Sequence, residues 1–493
     1  LETPSSHMHV TGVYVIEPGE RATSFEEIRQ MVAERLPLAA PFRRRLVEVP
    51  LRLSHPFWIE DPDFDLDYHV RRAALPAPGG MRELEAFVGQ VVGLPLDRSR
   101  PLWEMYVVEG LEGGRLATVT KMHHAAIDGV SGAEIAATWL DLEPNPPERL
   151  IVDHWHPEPV PTEVELMAFA MASLVGHPLR AARTARRVVE SALHVTERNR
   201  RAGVEPPPSP FDAPKTSLNQ AITPHRRVAF AERPLDELKA VKNHFGCTVN
   251  DVVLALCASA LRAYLIEGDE LPEEPLVAMV PMSVRTESER LAGGNRVSAM
   301  LTSLATNLED PAARLRAISE SMRSAKEQEE LIGASTLTDW TEFTFPALIG
   351  RASRLISSMK VFDRVRPAFN VTISNVPGPP FPLFMAGARM VGFYPLGPVA
   401  EGVGLNITVM SYCGIVYFGF NACRETAPRV ADLPRLVGEA LDELLELARP
   451  PRRQPAGARR TGHAATAPPV TEGAGALTTE AEAGATGGLG AAG

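Results

Sequence analysis

Apolar and polar positions alternate along "MHVTGVYVIEP" (8–18), the period of a strand with one buried face. The period then changes. "SFEEIRQMVAERL" (24–36) reads as an amphipathic helix capped by Ser24. "FWIEDPDFDLDYHVRRAAL" (57–75) is loop and strand, and "MRELEAFVGQVVGLPLD" (81–97) is a helix running into a proline break. "PLWEMYVVEGL" (101–111) and "LATVTKMHHA" (116–125) are further strands. Strands alternating with helices predict α/β layering.

After Glu143 the pattern gives way to a proline-rich connector, then to a long helical stretch over 163–201 and a second linker, "AGVEPPPSPFDAP" (202–214). A second α/β region opens with "HRRVAFAERPLDELKAVKNHFGCTVNDVVLALCASALRAYL": a strand, a helix, a glycine break and a helix opened by "TVND". "PLVAMVPMSVR" (275–285) and "AFNVTISNVPGPP" (368–380) are strands, and "GLNITVMSYCGIVYFGFNA" (404–422) is a hairpin turning at Cys413-Gly414. From Pro450 the chain has no aromatic residue and is dominated by Ala, Gly, Thr and Pro, a composition that cannot bury a core. The predicted division is 1–145, 146–214 as connector, 215–449, and 450–493 as a disordered tail.

Composition narrows the function. The formal net charge of −11 disfavours nucleic acid as a partner. Only six of the 50 basic residues are lysine, which suggests a GC-rich bacterial coding sequence. Cys247, Cys257, Cys413 and Cys423 lack zinc or redox spacing and read as free thiols in a reducing cytoplasm. "LMAFAMASLVG" (166–176), the best apolar run, is too short to span a bilayer. No phosphate-binding glycine loop and no G-x-S-x-G elbow is present.

The chemistry concentrates in "KMHHAAIDGVSG" (121–132). On a strand, neighbouring side chains diverge, so His123 would face with Lys121 and His124 with Met122. Ser131 followed by Glu134 predicts a helix start, which puts Asp128 and Gly129 in a tight strand-to-helix loop. Three readings stay open on these residues alone. They are a buried histidine satisfied by a loop carboxylate, a metal ligand, and a general base that titrates near neutrality. Diverging histidines without further Cys or His spacing make the metal reading the poorest.

"HHAAIDG" resembles the HHxxxDG signature of the coenzyme-A-dependent acyltransferase superfamily. The ordered set "PLW" (101–103), "NDVVLA" (250–255), "PMSVR" (281–285), "GGNRVS" (293–298), "SNVPGPP" (374–380), "AGARM" (386–390) and "GLNITVMSY" (404–412) resembles the bacterial wax ester synthase/diacylglycerol acyltransferase family in particular. The resemblance implies two chloramphenicol-acetyltransferase-like domains, each a mixed sheet flanked by helices, with the active-site tunnel between them. It also implies transfer of a long-chain acyl group from acyl-CoA to diacylglycerol or a long-chain alcohol, with no permanently bound cofactor, no metal and no acyl-enzyme. By the same resemblance His124 is the general base, Asp128 holds the loop, Gly129 lets it turn, and His123 supports the strand. Asn250 is either the oxyanion donor or the cap of its helix, and Asp251 is a structural partner or a substrate contact. Pro101, Leu102, Trp103 and Arg285 are further candidates for substrate contact.

Two departures stand out. The hairpin turn is Cys-Gly where the family has Asp-Gly, and family members carry an extra short segment ahead of "ETPSSHMHV". A condensation-type enzyme using carrier-bound acyl groups and a silent relative coating lipid inclusions are the rival readings. Diacylglycerol resides in membranes, so peripheral attachment to the inner face of the plasma membrane or to lipid inclusions is expected. The segment bearing Arg180, Arg183, Arg186, Arg187, Arg198, Arg200 and Arg201 is the expected contact, by way of Leu179, Val188, Val189 and Leu193.

Overall fold

Alternation in the first strand, β1 (His9–Glu17), survives in a computed structural model as the centre of a six-stranded mixed sheet ordered β11-β12-β1-β6-β5-β4. The described residues are 2–19, 23–126, 138–147, 151–172, 208, 211–283, 297–332 and 363–449. Asp128, Gly129, Arg285, the arginine-rich segment and the tail therefore lie outside them. The first sheet takes β4 (Val70–Ala74), β5 (Trp103–Glu109) and β6 (Leu116–His123) from the N-terminal half. Its far edge, β11 (Phe384–Met385) and β12 (Ala388–Leu396), comes from the C-terminal half, with β12 antiparallel to β1. Residues that the sequence division assigns to 215–449 thus complete the first sheet. Nothing in the local pattern of "ARMVGFYPL" encodes that crossing. A two-stranded ribbon, β2 (Arg44–Val47) and β3 (Phe57–Glu60), stands apart.

Helix α1 (Phe25–Arg35) begins as predicted: Ser24 and Glu27 form a reciprocal capping box, and Ile28 and Val32 are buried one turn apart. Helix α2 (Met81–Gly93) packs Leu84, Val88, Val91 and Val92 inward. Helix α3 covers 163–172.

The second sheet, ordered β7-β14-β13-β10-β8-β9, is also mixed. It comprises β7 (Arg226–Pro234), β8 (Val277–Ser283), β9 (Val297–Ser303), β10 (Val371–Val376), β13 (Leu405–Tyr412) and β14 (Ile415–Cys423). Helices α4 (Leu235–Phe245), α5 (Val249–Glu267), α6 (Pro311–Ile332) and α7 (Leu433–Ala448) complete this half. Gly246, at φ 69°, ends α4 in the left-handed conformation that glycine adopts without a Cβ clash. By length and composition α5 is apolar enough to cross a membrane, yet 67% of that window is buried and it forms the centre of the second core.

The alternation of β7 joins the halves. Ala229 and Ala231 face the helices of the second core, whereas Val228 and Phe230 enter the first core. Phe230 stacks on Tyr394 of β12 at 4.5 Å. A Cβ at Gly419 would sit 1.8 Å from the Pro395 carbonyl, so only glycine permits this approach of β14 to β12.

Candidate active site

Strand β6 ends at His123, and His124 opens the turn that follows. His123 is the last strand residue, paired with His9, and its amide donates to the Leu102 carbonyl at 3.0 Å. Its Nδ1 accepts the Ala125 amide at 3.1 Å, so that lone pair is occupied. Burial, reinforced by Arg98 and by His124, pushes its pKa down to about 4, which keeps the ring neutral near pH 7. Glu2 lies 3.7 Å from Nε2, but its own carboxyl is pushed up, chiefly by burial. His124 opens a 3-10 turn (His124–Ala126) with its ring exposed. Its imidazole makes no hydrogen bond among the described residues. Its amide donates to the Met8 carbonyl at 2.9 Å. Met8 has φ 51°, a conformation that costs a non-glycine residue roughly 1–2 kcal/mol. That strain lies next to the histidine motif, where backbone strain tends to collect.

Beneath the motif sits a buried charge pair that the sequence reading did not single out. Lys121 is fully buried. Its Nζ donates to the carbonyls of Val91 and Leu94, each at 3.1 Å, and lies 3.2 Å from Glu104 Oε2. All three ammonium protons thus have acceptors, and two of these are carbonyls at the C-terminal end of α2, where a positive charge is favoured. Burial lowers the lysine's pKa, partly offset by Glu104. The signal was present as a charge within each of two apolar strands, since Glu104 and Lys121 are directly paired. On the same face His7 stacks on His9 at 5.4 Å, and His9 meets His123 edge-on at 6.0 Å. Neither His9 nitrogen has a hydrogen-bond partner among the described residues, and burial drives its pKa down to about 2.

The "PLW" motif braces this strand. Leu102 and Trp103 are buried in the core. The Trp103 indole donates to the Phe42 carbonyl at 2.8 Å, and its ring stacks on His69 at 4.6 Å. Pro101 is buried and its carbonyl accepts the Trp103 amide. All three side chains are packed inside the protein.

In the other half, Thr248 caps α5 and forms a capping box with Asp251. The expectation that Asn250 is the cap is therefore corrected, because the cap position is already filled by a hydroxyl. Asp251 accepts the Thr248 amide at 2.9 Å and the Ser319 hydroxyl at 3.1 Å, both structural bonds. Half-buried Asn250 accepts from Asn375 Nδ2 at 3.2 Å, and its own Nδ2 has no acceptor among the described residues. Asn375, at the end of β10 within "SNVPGPP", had gone unmarked in the sequence. Among the described residues no hydrogen bond or ring contact joins the Asn250 group to the histidines, and no cluster of His, Cys, Asp and Glu can hold a metal ion.

Comparison with known proteins adds a family likeness. Residues 1–253 match the wax ester synthase/diacylglycerol acyltransferase catalytic domain, and residues 293–445 match the WS/DGAT C-terminal domain. A Mycobacterium tuberculosis protein named as a diacylglycerol O-acyltransferase is 38% identical over 452 residues, covering 90% of this chain and 88% of its own. Another from that species is 39% identical over 456 residues, with 90% and 96% covered. The solved wax ester synthase/diacylglycerol acyltransferase of Marinobacter aquaeolei VT8 superposes with a TM-score of 0.64 at 32% identity, covering 91% of this chain and 96% of that one. The first condensation domain of the calcium-dependent antibiotic synthetase, at 16% identity and TM-score 0.51 over 90% and 92% of the two chains, shares the fold alone.

Proposed function

We propose that this chain, which belongs to the wax ester synthase/diacylglycerol acyltransferase family and is an acyltransferase of triacylglycerol and wax ester synthesis, works by direct transfer with His124 as general base. The co-substrate is a long-chain acyl-CoA. The acceptor hydroxyl of diacylglycerol, or of a long-chain alcohol, gives its proton to the exposed His124 imidazole as its oxygen attacks the thioester carbonyl. The tetrahedral intermediate then collapses, the carbon–sulfur bond breaks, and the CoA sulfur leaves with the proton returned by the imidazolium. In this reading the free Nδ2 of Asn250 donates to the oxyanion across the tunnel between the two halves. A donor of this kind is worth about 2.7–4 kcal/mol in comparable sites. Asp128 and Gly129 shape the loop that follows.

The observation that carries this reading is the contrast within the motif. His123 has its Nδ1 occupied by a backbone amide, and His124 has an exposed ring with no hydrogen bond among the described residues. Thin-layer analysis of products from purified protein, labelled palmitoyl-CoA and either dioleoylglycerol or hexadecanol tests the activity. Labelled triacylglycerol or wax ester is expected, and absence of both refutes the reading.

The lipid acceptor also motivates peripheral attachment to a membrane or lipid-inclusion surface at the cytoplasmic side. The arginine-rich sequence over 180–201 supports this by charge.

A further inference from the structure

We propose that the outer face of α3, together with Phe57 of β3, is the surface by which this enzyme touches an anionic lipid bilayer. The inference rests on the membrane reading above and names the face responsible.

Helix α3 is apolar on both sides. Its inner side buries Leu166 and Ala170, one turn apart. Its outer side presents Val164, 80% exposed, and Met171, 57% exposed, which lie two turns apart on one stripe. Phe169, 59% exposed, lies at the far edge of the exposed side, roughly 140° round the helix from Val164, and meets the ring of Phe57 at 5.7 Å. Val160 extends the exposed apolar surface just ahead of the helix. Beyond its first turn the helix is apolar all round, which suits a core or lipid, and among the described residues it is covered on one side only.

Charge along the chain selects the occupant. Glu163 and Glu165 are confined to the first turn, and the Glu165 carboxylate is held by the Thr162 amide and hydroxyl. No charged residue occurs from Leu166 to Gly176. The next 25 residues, 177–201, hold seven arginines against Glu190 and Glu197. An apolar face followed directly by dense positive charge complements a bilayer of anionic headgroups over acyl chains. A protein groove would match the apolar face but would leave that charge without a partner.

The test uses the full chain and flotation with phosphatidylcholine–phosphatidylglycerol vesicles. Combined Val164→Ser, Phe169→Ser and Met171→Ser changes should weaken vesicle binding about tenfold or more. Turnover of palmitoyl-CoA with a short, water-soluble alcohol should stay at the parent level, which shows that the variant is folded. In a separate variant, the indole introduced by Met171→Trp should be quenched by brominated acyl chains. Parent-level vesicle binding by the triple variant, or no quenching in the second, overturns the proposal while leaving the membrane reading intact. Failure of the parent protein to bind any vesicle overturns both. A parent dimer that the triple variant converts to monomer assigns the face to self-association and also overturns the proposal.

Discussion

The two sheets bury different things. The helix-covered face of the second sheet is hydrocarbon: α5 alone places Val252, Leu254, Leu256, Leu261 and Leu265 in its core. The equivalent depth in the first sheet holds an ammonium, a carboxylate and imidazoles with unpaired nitrogens, all beneath the histidine motif. Hydrocarbon burial is non-directional and tolerates repacking, whereas a buried charge holds its place only with every partner present. The core of the second half therefore acts as scaffold. The first half sacrifices stability to hold the end of β6 in one position.

The largest expected effect separates these two kinds of core. Lys121→Met alone leaves Glu104 buried without its ammonium and should lose about 3–5 kcal/mol in urea unfolding. Adding Glu104→Leu should recover most of that loss. Leu261→Ala in α5 should lose roughly 2–5 kcal/mol by leaving a cavity. A double variant no more stable than Lys121→Met alone would show that the pair does more than satisfy itself.

Acid should strike the first half next. His9, His69 and His123 have pKa values of about 2, 4 and 4, each lowered chiefly by burial from the usual 6.5. A depressed histidine pKa means that the unfolded chain takes up the proton first. Their contribution is therefore complete above pH 6.5 and is lost as pH falls toward 4. Each lowered histidine removes up to about 2 kcal/mol at pH 5. His9→Phe should flatten that dependence in urea melts taken between pH 7 and 5, and an unchanged slope would mean that the imidazole column is not its source.

The hairpin of the second half offers the smallest effect. Cys413 has φ 46° and Gly414 φ 81°, so both central turn residues are left-handed. Asparagine tolerates that conformation better than cysteine, and Cys413→Asn should stabilise by less than about 1 kcal/mol, read as a rise in melting temperature. A fall would mean that the thiol packs usefully against the first core.

These contrasts also explain what was legible beforehand. Period-2 and helical patterns located β1, β6, β7, α1, α4 and α5, because each buries one face and announces it locally. That β6 ends between the two histidines, with His124 already in a 3-10 turn, did not show in its alternation. The crossing of β12 into the first sheet was invisible, since its partner β1 lies more than 370 residues away and any alternating strand fits the pattern. The core packing of Trp103 was not legible, because an aromatic in a motif looks the same whether it packs a core or lines a pocket. Asn375 and Lys121 escaped notice because their partners come from other strands or helices, which no local spacing reveals.

The account turns on one imidazole. Acyl transfer from palmitoyl-CoA to dioleoylglycerol, measured side by side for His124→Ala and His123→Gln with melting temperatures recorded for both, tests it most directly. His124→Ala should lose about 10²–10⁴-fold in kcat with little change in melting temperature. His123→Gln should retain far more turnover and lose stability instead. Near-parent turnover from folded His124→Ala protein would contradict the mechanism.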